Sequence, residues 1–287
     1  MDQPRYLTTK EVAELLRVRE RKVYDLAAAD EIPHRRITGK LLFPAEEIHA
    51  WIEGGDGGAP GIRPDVVAGS HDPLLDWAIR ESGAGLATLT DGSLDGLERF
   101  AAGQSAAAGM HVPEDDGWNI ATVTARGLGG CVLIGWATRA RGILLADGLD
   151  RDVQGFADLK GRRMALRQEG AGAAALLGRL LKDAGMTRDD VLASGTVART
   201  ESDAAAAVAA GEAEAALGIG AMARQFGLGF VPLVDERFDL LIDRRAWFTP
   251  PFQRLMAFTR TDAFRAKAEA LGGYDVGAAG EVRWLSR

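Results

Sequence analysis

Three short stretches of the sequence place small residues beside hydrogen-bond donors, each between a β-like run and a helical run. They are Gly69-Ser70-His71-Asp72, Asp91-Gly92-Ser93 and Glu169-Gly170-Ala171-Gly172. The first turn of a helix carries unpaired N–H groups and a partial positive charge, which suit an anion, and a serine hydroxyl adds a further donor. Ser and Asp are also common helix caps, so one such turn indicates little. Three of them in one region predict a shared anion-binding cleft.

The same region holds residues that could serve a metal site or a catalytic triad. His71, His111 and Asp72 lack the short His/Cys spacing of zinc sites, and we interpret both histidines as structural or ligand-adjacent. Ser70, His71 and Asp72 are consecutive, and consecutive side chains at a helix start rarely converge as a triad requires. The sequence contains no nucleophile-elbow, P-loop or metalloprotease signature. It therefore predicts a protein that is not an enzyme and has no metal centre or cofactor.

The elements that must position these turns repeat from Asp65 onward. Short β-like runs such as "PDVVAG" alternate with helical runs such as "PLLDWAIRESG". Strands that alternate with helices imply a parallel or mixed sheet covered by helices on both faces. Ligands of such sheets bind beyond the carboxyl ends of the strands, where the helices begin.

A different pattern precedes this region, in a small unit that we place at residues 1–53. Thr8 and Glu11 have the spacing of a capping box, which predicts the start of a helix. A second short helix follows after a turn near Val18, as expected for a helix-turn-helix. The apolar stripes of the two helices are Val12, Leu15 and Leu16, and Val23, Leu26 and Ala27.

The rest of this unit reads as a strand-turn-strand and a closing helix. The turn is centred on Thr38-Gly39-Lys40, and the helix begins at Ala45. We expect the closing helix to carry Ile48, Trp51 and Ile52 inward.

Composition sets limits on the partners of the chain. The net charge of −7 excludes a surface that attracts nucleic acid everywhere, so a DNA-binding role needs a local basic patch. Residues 54–64, "GGDGGAPGIRP", predict a linker between two domains. A single cysteine, no apolar run of membrane-spanning length and no secretory signal predict a cytoplasmic protein without a membrane role.

Basic residues of the first unit bunch at two places, as phosphate contact and base readout require. One cluster lies at the start of the second helix and the other in the strand-turn-strand; a solvated basic face is the alternative interpretation. The order of "LTTKEVAELL", "VYDL", "IPHRRITGK" and "AEEIHAWI" resembles the excisionase-like, MerR-related winged helix-turn-helix domains over residues 6–53. That resemblance implies contacts with double-stranded DNA from the second helix and from the wing, where "GKLLF" lacks an arginine that the family often has. The residues implied are Arg19, Arg21, Lys22 and Tyr24 in the helix, and Arg35, Arg36 and Lys40 in the wing.

The remaining chain, from about Gly69 to Val282, is similar to the molybdate-binding type of periplasmic-receptor domain. The matching runs include "GSHDPLLDWA", "WNI", "RGILLADG" and "LGGYDVGAAGEV". The resemblance implies a type 2 periplasmic-binding-protein fold, that is, a two-lobed α/β domain over residues 65–287. Lobe 1 would comprise about residues 65–145 and 236–287, and lobe 2 about residues 146–235.

This second resemblance also implies a set of ligand-binding residues in the cleft. Ser70 and Ser93, with His71 nearby, would donate from lobe 1, and Arg141 and Arg167 lie on matching runs. Arg167 would close on the anion together with Gly170, Ala171 and Gly172, although a salt bridge is an equal alternative for Arg167. Thr200 and Ser202 are weaker candidates. The chain departs from the family at "QEGAG", where hydroxyl-bearing residues are replaced and Glu169 adds a negative charge.

Together these patterns predict a ligand-responsive transcription regulator that acts as a homodimer or higher homo-oligomer. The effector implied by the resemblance is a small oxyanion, molybdate or tungstate. A small carboxylate or another anion would use the same cleft, and a cytoplasmic anion carrier without a DNA role is the alternative from another class.

Overall fold

The computed structural model describes residues 5–29, 32–52, 63–149, 151–195 and 197–286. The chain divides into two compact units, Met1–Arg63 and Pro64–Arg287. Of the predicted linker, only residues 63 and 64 lie within the described part.

In its described part, the N-terminal unit is a helix-turn-helix with a small antiparallel sheet of order β1-β3-β2. A core of buried side chains, among them Val12, Val23 and Phe43, joins the helices to the sheet. The elements are β1 (Tyr6–Thr8), α1 (Thr9–Leu16), α2 (Glu20–Ala28), β2 (Arg35–Ile37), β3 (Lys40–Pro44) and α3 (Ala45–Ile52).

The predicted capping box starts α1. Glu11 N–H donates to Thr8 Oγ1 at 3.4 Å, and Thr8 N–H donates to the Glu11 carboxylate at 2.7 Å. The buried face of α1 carries Val12 and Ala13, whereas Leu15 is 42% exposed. The prediction of Leu15 as a core residue is wrong because it lies off the face that Val12 and Ala13 share.

The wing is a tight hairpin. Thr38 and Gly39 both have positive φ, 49° and 80°, which is the geometry of a two-residue type I′ turn, and Lys40 already begins β3.

In α3, Ile48 is buried but Ile52 is 44% exposed, because it ends the helix one turn beyond the core. The predicted inward position of Ile52 is therefore wrong.

The C-terminal unit confirms the predicted α/β fold. Among the described residues, ten strands form one sheet, whose main path has the order β11-β10-β12-β9-β13-β6-β4-β5. The strands are β4 (Val66–Gly69), β5 (Ala87–Leu89), β6 (Ala107–Met110), β7 (Pro113–Glu114), β8 (Gly117–Trp118), β9 (Cys131–Leu145), β10 (Arg163–Ala165), β11 (Leu192–Ala193), β12 (Ala215–Ile219), β13 (Gly229–Asp243), β14 (Tyr274–Asp275) and β15 (Val282–Leu285), of which β7 and β8 form a separate hairpin.

Helices cover this sheet and follow its parallel strands. They are α4 (Pro73–Glu81), α5 (Ser93–Ala101), α6 (Ile120–Ala125), α7 (Gly172–Asp183), α8 (Glu201–Ala209), α9 (Gly220–Phe226), α10 (Arg244–Trp247), α11 (Pro250–Phe258) and α12 (Asp262–Leu271), with 3-10 turns at Phe156–Leu159 and Arg188–Asp190. No helix in the described ranges is long and apolar enough to cross a bilayer.

Two lobes share the sheet. We call lobe 1 the part built on the parallel strands β4, β5 and β6, and lobe 2 the part built on the parallel strands β10, β11 and β12. In each lobe a helix begins just after a parallel strand ends, so the helix starts gather at one edge.

The long antiparallel strands β9 and β13 run through both lobes. Their pairing is regular from Ala137–Arg141 on β9 to Val234–Phe238 on β13, and the register shifts at both ends of this segment. We call it the crossing ribbon. It places Glu236 directly opposite Arg139, so their side chains lie on the same face of the sheet.

Candidate ligand cleft and nucleic-acid interface

The three predicted turns meet where the lobes contact each other. The turns before α4 and α5 belong to lobe 1, and the turn before α7 belongs to lobe 2. Leu94 N–H, in the first turn of α5, donates to Gly170 C=O at 3.1 Å. The Gln168 amide donates to Asp91 C=O at 3.0 Å. The fold thus assembles the stretches that the sequence singled out.

The two predicted serines form a pair on the lobe 1 side. Ser70 Oγ and Ser93 Oγ are 2.8 Å apart, and both residues are buried. Ser93 Oγ also accepts a hydrogen bond from His111 N–H at 3.1 Å. One hydroxyl proton is used between the two serines, so the other remains to be donated. The pair can therefore offer one O–H donor to a bound acceptor.

Glycine is required where the lobes touch. A Cβ on Gly172 would lie 2.5 Å from His111 C=O, and a Cβ on Gly92, whose φ is +113°, would lie 2.8 Å from Gly170 C=O. Backbone atoms cannot give way as a flexible side chain can. The backbone of the turn residues Gly170, Ala171 and Gly172 therefore lies close against lobe 1, and their contact with a ligand stays a prediction.

Behind this contact, six buried ionic side chains alternate in charge and run from lobe 1 to lobe 2. Asp72 pairs with Arg139 at 2.8 Å, and Glu236 bridges Arg139 and Arg141. Glu201 bridges Arg141 and Arg167, at 2.8 and 2.9 Å. We call this set the charge chain: Asp72, Arg139, Glu236, Arg141, Glu201 and Arg167.

Neutral groups complete the lobe 1 end of the charge chain. Tyr274 Oη and Trp136 Nε1 donate to the Asp72 carboxylate at 2.7 and 3.1 Å. His111 Nδ1 lies 2.9 Å from Glu236. Burial lowers the pKa of His111 below its ordinary 6.5, so its imidazole is neutral at pH 7.

Two carboxylates of the charge chain, those of Glu201 and Glu236, stay ionised. Burial alone would raise the pKa of Glu201, but the neighbouring Arg141 and Arg167 outweigh it and hold that pKa at about 2. Arg139 and Arg141 likewise hold the pKa of Glu236 well below its usual range against the effect of burial. Counted by formal charge, the three arginines of the charge chain are matched by its three acidic residues.

Both predicted arginines are already engaged by other groups of the chain. Arg167 donates to Ala198 C=O, Arg199 C=O and Glu201, at 3.2, 2.8 and 2.9 Å. The salt bridge that the sequence left open is thus the one that forms. Arg141 is also engaged by carboxylates of the chain itself, so neither guanidinium is an uncommitted donor for an anion.

Thr200 and Ser202 are used elsewhere. Thr200 caps α8, where its Oγ1 accepts from Asp203 N–H at 3.0 Å. Ser202 Oγ contacts Met222 Sδ at 3.6 Å. The structure therefore does not bring these two hydroxyls to the serine pair, because both serve the fold of α8.

The remaining predicted residues lie at the margins of the cleft. His71 is partly buried, with Nε2 3.3 Å from the Asp76 carboxylate. Glu169 is exposed, so its charge faces solvent and not the serine pair. A pocket of about 710 Å³ opens at the rim between the lobes, lined among others by Asp91, Gln168 and Arg199.

In the N-terminal unit, α2 presents the predicted basic residues outward. Val23 and Ala27 are buried, whereas Arg19, Arg21, Lys22 and Tyr24 are all exposed. Arg19 is the residue before the helix, so its side chain lies beside the N-terminal turn. This exposed basic end has the placement that a recognition helix needs.

The wing divides its basic residues between two faces. Arg35 and Arg36 are consecutive in β2, so their side chains point to opposite faces. Arg35, Arg36 and Lys40 are all exposed, and Arg35 pairs with Glu47 of α3 at 2.9 Å. Arg35 is thus partly committed to α3, which the sequence did not indicate.

Comparison with known proteins decides the family. A model of the PBP superfamily domain matches residues 77–260, and a model of the helix-turn-helix domain matches residues 6–56. The chain belongs to the PBP superfamily. It joins a superfamily domain to an N-terminal helix-turn-helix, as the sequence predicted.

Two relatives match this superfamily member over very different lengths. It is 24% identical over 309 residues to the uncharacterized protein YvgK of Bacillus subtilis (strain 168), covering 98% of this chain and 99% of that protein. It is 35% identical over 55 residues to an uncharacterized protein in the 5′ region of the ferredoxin 2Fe-2S gene of Clostridium pasteurianum, covering 19% of this chain and 49% of that protein.

A solved structure supports the fold of the PBP domain. A Clostridium perfringens protein described as a phosphate ABC transporter substrate-binding protein, with bound phosphate, aligns with a TM-score of 0.53. The alignment covers 72% of this chain and 96% of that one, at 9% identity. At this identity the likeness concerns the fold alone.

Sequence reasoning missed most of the charge chain. The sequence patterns do not single out Arg139, Glu236 or Glu201, and they indicate Asp72 as a helix start, a metal candidate and a triad candidate but not as an ion-pair partner. One signal was available: Arg139 and Arg141 alternate within "CVLIGWATRARGILL", an otherwise apolar strand, so both must lie on one buried face. Buried arginines need partners, which would have directed attention to the acidic residues of β13 and α8.

Proposed function

We propose that this PBP-superfamily chain is a ligand-responsive transcription regulator. Its helix-turn-helix unit binds double-stranded DNA, and its PBP unit takes a small ligand between the lobes. The observation that carries the proposal is the convergence of three helix starts and the Ser70–Ser93 pair at the contact between the lobes. The exposed basic end of α2 in the same chain supports the DNA-binding part.

The ligand class proposed is a small anion held by hydroxyl and backbone N–H donors. A tetrahedral oxyanion can be bound by many neutral donors with little full charge, which suits the serine pair and the start of α7. Molybdate and tungstate are the first candidates through the family resemblance, and a small carboxylate is the second. We further propose that the protein acts in the cytoplasm as a homodimer and binds its ligand without converting it.

DNA binding is tested with variants of α2. Arg21→Ala and Lys22→Ala should each weaken binding of the full-length protein to DNA from the region upstream of its own gene. A base-contacting arginine is worth about 1–3 kcal/mol, and loss of one phosphate contact reduces the salt slope by about one. Fluorescence anisotropy at several salt concentrations measures both.

The matched control is Lys182→Ala at an exposed position of α7, which changes the net charge equally but outside the N-terminal unit. It should bind as the wild type does. Absence of specific binding by the wild type, with or without any anion of the panel, would end the regulator proposal and leave an anion carrier.

The ligand is sought by calorimetric titration with molybdate, tungstate, sulfate and small carboxylates. Binding of a metal oxyanion at least tenfold tighter than sulfate, a difference of about 1.4 kcal/mol, supports the first candidate. If neither molybdate nor tungstate binds, both are excluded as the ligand, and the small carboxylates remain as candidates.

A further inference from the structure

Glu201 already occupies the arginine pair that the family resemblance assigned to an anionic ligand. It is the first residue of α8 and only 1% exposed. Its Oε1 lies 2.8 Å from Arg141 Nη2 and 2.9 Å from Arg167 Nη1. A carboxylate held by two guanidiniums is the arrangement in which such a pair would hold a carboxylate ligand.

The position of Glu201 is fixed by its own helix. Thr200 and Asp203 form a capping box at the start of α8, with hydrogen bonds of 2.9 and 3.0 Å. The first turn of the helix also favours a negative charge through its unpaired N–H groups. The two arginines lie on β9 and beside β10, so Glu201 joins α8 to two strands of the sheet. It is a built-in part of the site and not a mobile surface group.

Glu201 supplies one of the three negative charges that balance the charge chain, and it is the one that pairs with both Arg141 and Arg167. With His111 neutral, the charge chain sums to zero, and the Ser70–Ser93 pair adds no charge. Without the Glu201 charge, one buried guanidinium would be in excess. An uncompensated charge in a buried site interacts far more strongly with a counter-ion than an exposed one does.

We propose that Glu201 is a specificity-determining residue of the ligand cleft, an internal counter-anion that withdraws Arg141 and Arg167 from ligand binding. The serine pair and the backbone N–H donors then select the ligand by its shape and its hydrogen-bonding pattern. A net positive charge does not contribute to binding. The inference rests on the proposed function in one respect, namely that the cleft binds ligand.

The test is sulfate binding by full-length Glu201→Gln. The amide keeps the shape of the side chain but leaves one arginine unpaired, so we expect sulfate to bind about tenfold or more tightly than to the wild type. Isothermal titration calorimetry measures the difference. Glu214→Gln is the matched control, because Glu214 also pairs with two arginines, Arg162 and Arg163, but on a partly exposed surface. It should leave sulfate affinity unchanged.

A double variant checks that charge causes the gain. Glu201→Gln combined with Arg167→Gln removes one charge of each sign, and we expect it to lose the gain in sulfate affinity. Equal sulfate affinity in the wild type and folded Glu201→Gln overturns the proposal, as does a gain that survives in the double variant.

Folding of the single variant is followed in the same series. If Glu201→Gln does not fold alone, sulfate should restore its cooperative melting at concentrations that leave the wild-type melting temperature unchanged; no restoration overturns the proposal. The sulfate comparison does not involve DNA. If the protein does not bind DNA, the regulator proposal is wrong, but the sulfate titrations still decide the role of Glu201.

Discussion

Ser70 and Asp72 are two residues apart and serve the cleft in different ways. Asp72 caps α4 by accepting from Leu75 N–H at 2.7 Å and also anchors Arg139. Ser70 does not cap the helix but pairs with Ser93 at 2.8 Å. The stretch is therefore both a helix start and a wall of the cleft, and the two roles belong to separate side chains.

The serine pair should contribute directly to ligand affinity. Ser70→Ala and Ser93→Ala each remove a hydroxyl, and loss of one hydrogen bond to a charged ligand costs about 1.5–3 kcal/mol. Calorimetry with the anion that binds the wild type most tightly should show a loss of roughly tenfold or more. Ser82→Ala, at the far end of α4, is the control and should bind normally. Normal affinity in both cleft variants would exclude the pair from the ligand site.

The low pKa of Glu201 also predicts how the free energy of unfolding changes at acid pH. Its pKa is about 2 in the folded chain, below the ordinary 4.5, so the ionised carboxylate stabilises the fold above about pH 4.5. This contribution, of the order of 3 kcal/mol, is lost as the pH falls from 4.5 towards 2. Urea unfolding between pH 7 and 3 should therefore show a smaller loss of stability in Glu201→Gln than in the wild type.

Glu212→Gln, an exposed carboxylate just beyond α8, provides the comparison for this pH series. Its pH profile should match the wild type. Parallel profiles for all three proteins would mean that Glu201 does not carry the acid sensitivity.

At the scale of elements, local patterns predicted local structure. Thr8 and Glu11 predict the start of α1, and Thr38-Gly39 predicts the turn of the wing. Both structures form between residues only a few positions apart, so a short sequence pattern is enough to predict them. The pairing of Arg139 with Glu236 joins residues 97 apart in sequence, and their contact depends on the register of β9 with β13. No local pattern encodes that register. The turns of the cleft and the burial of Arg139 and Arg141 could therefore be predicted, but the carboxylates that pair with these arginines could not.

The start of α7 should tolerate no side chain larger than hydrogen at its first position. Gly172→Ala would place a Cβ 2.5 Å from His111 C=O, so lobe 2 must shift away from lobe 1. Overpacking of this kind costs about 1–3 kcal/mol. Urea unfolding should show the loss of stability, and titration should show weaker ligand binding.

Gly178→Ala on the same helix is the matched control. A Cβ there meets nothing within 4 Å, and alanine favours a helix interior over glycine by about 1 kcal/mol. This variant should be more stable than the wild type with unchanged ligand affinity. Equal behaviour of the two variants would show that the closeness of Gly172 to His111 does not matter.

At the scale of the whole molecule, the sequence predicted the order of the two units and their folds, and the family match confirms both. It did not define the ligand. The proposed role of Glu201 makes the ligand depend on the charge chain, and Arg139, Glu201 and Glu236 of that chain come together only when α8 packs on the folded sheet.

A regulator that couples the two units must show reciprocity. If saturating ligand changes the affinity for DNA by some factor, saturating DNA must change the affinity for ligand by the same factor. Anisotropy measures the first factor and calorimetry the second, on the same full-length protein. Bound ligand without any change in DNA affinity would leave two independent binding units in one chain.

The register shifts at both ends of the crossing ribbon have a consequence for amide exchange. Leu233 on β13 and Trp136 on β9 have no opposite partner in the ladder, so backbone pairing is interrupted on either side of Glu236 and Arg139. A strand yields most readily where its ladder is interrupted, and the segment between two such points can keep its pairing while its flanks bend. Deuterium uptake in the strand peptides would then change at the flanks when ligand binds, while the paired centre stays protected.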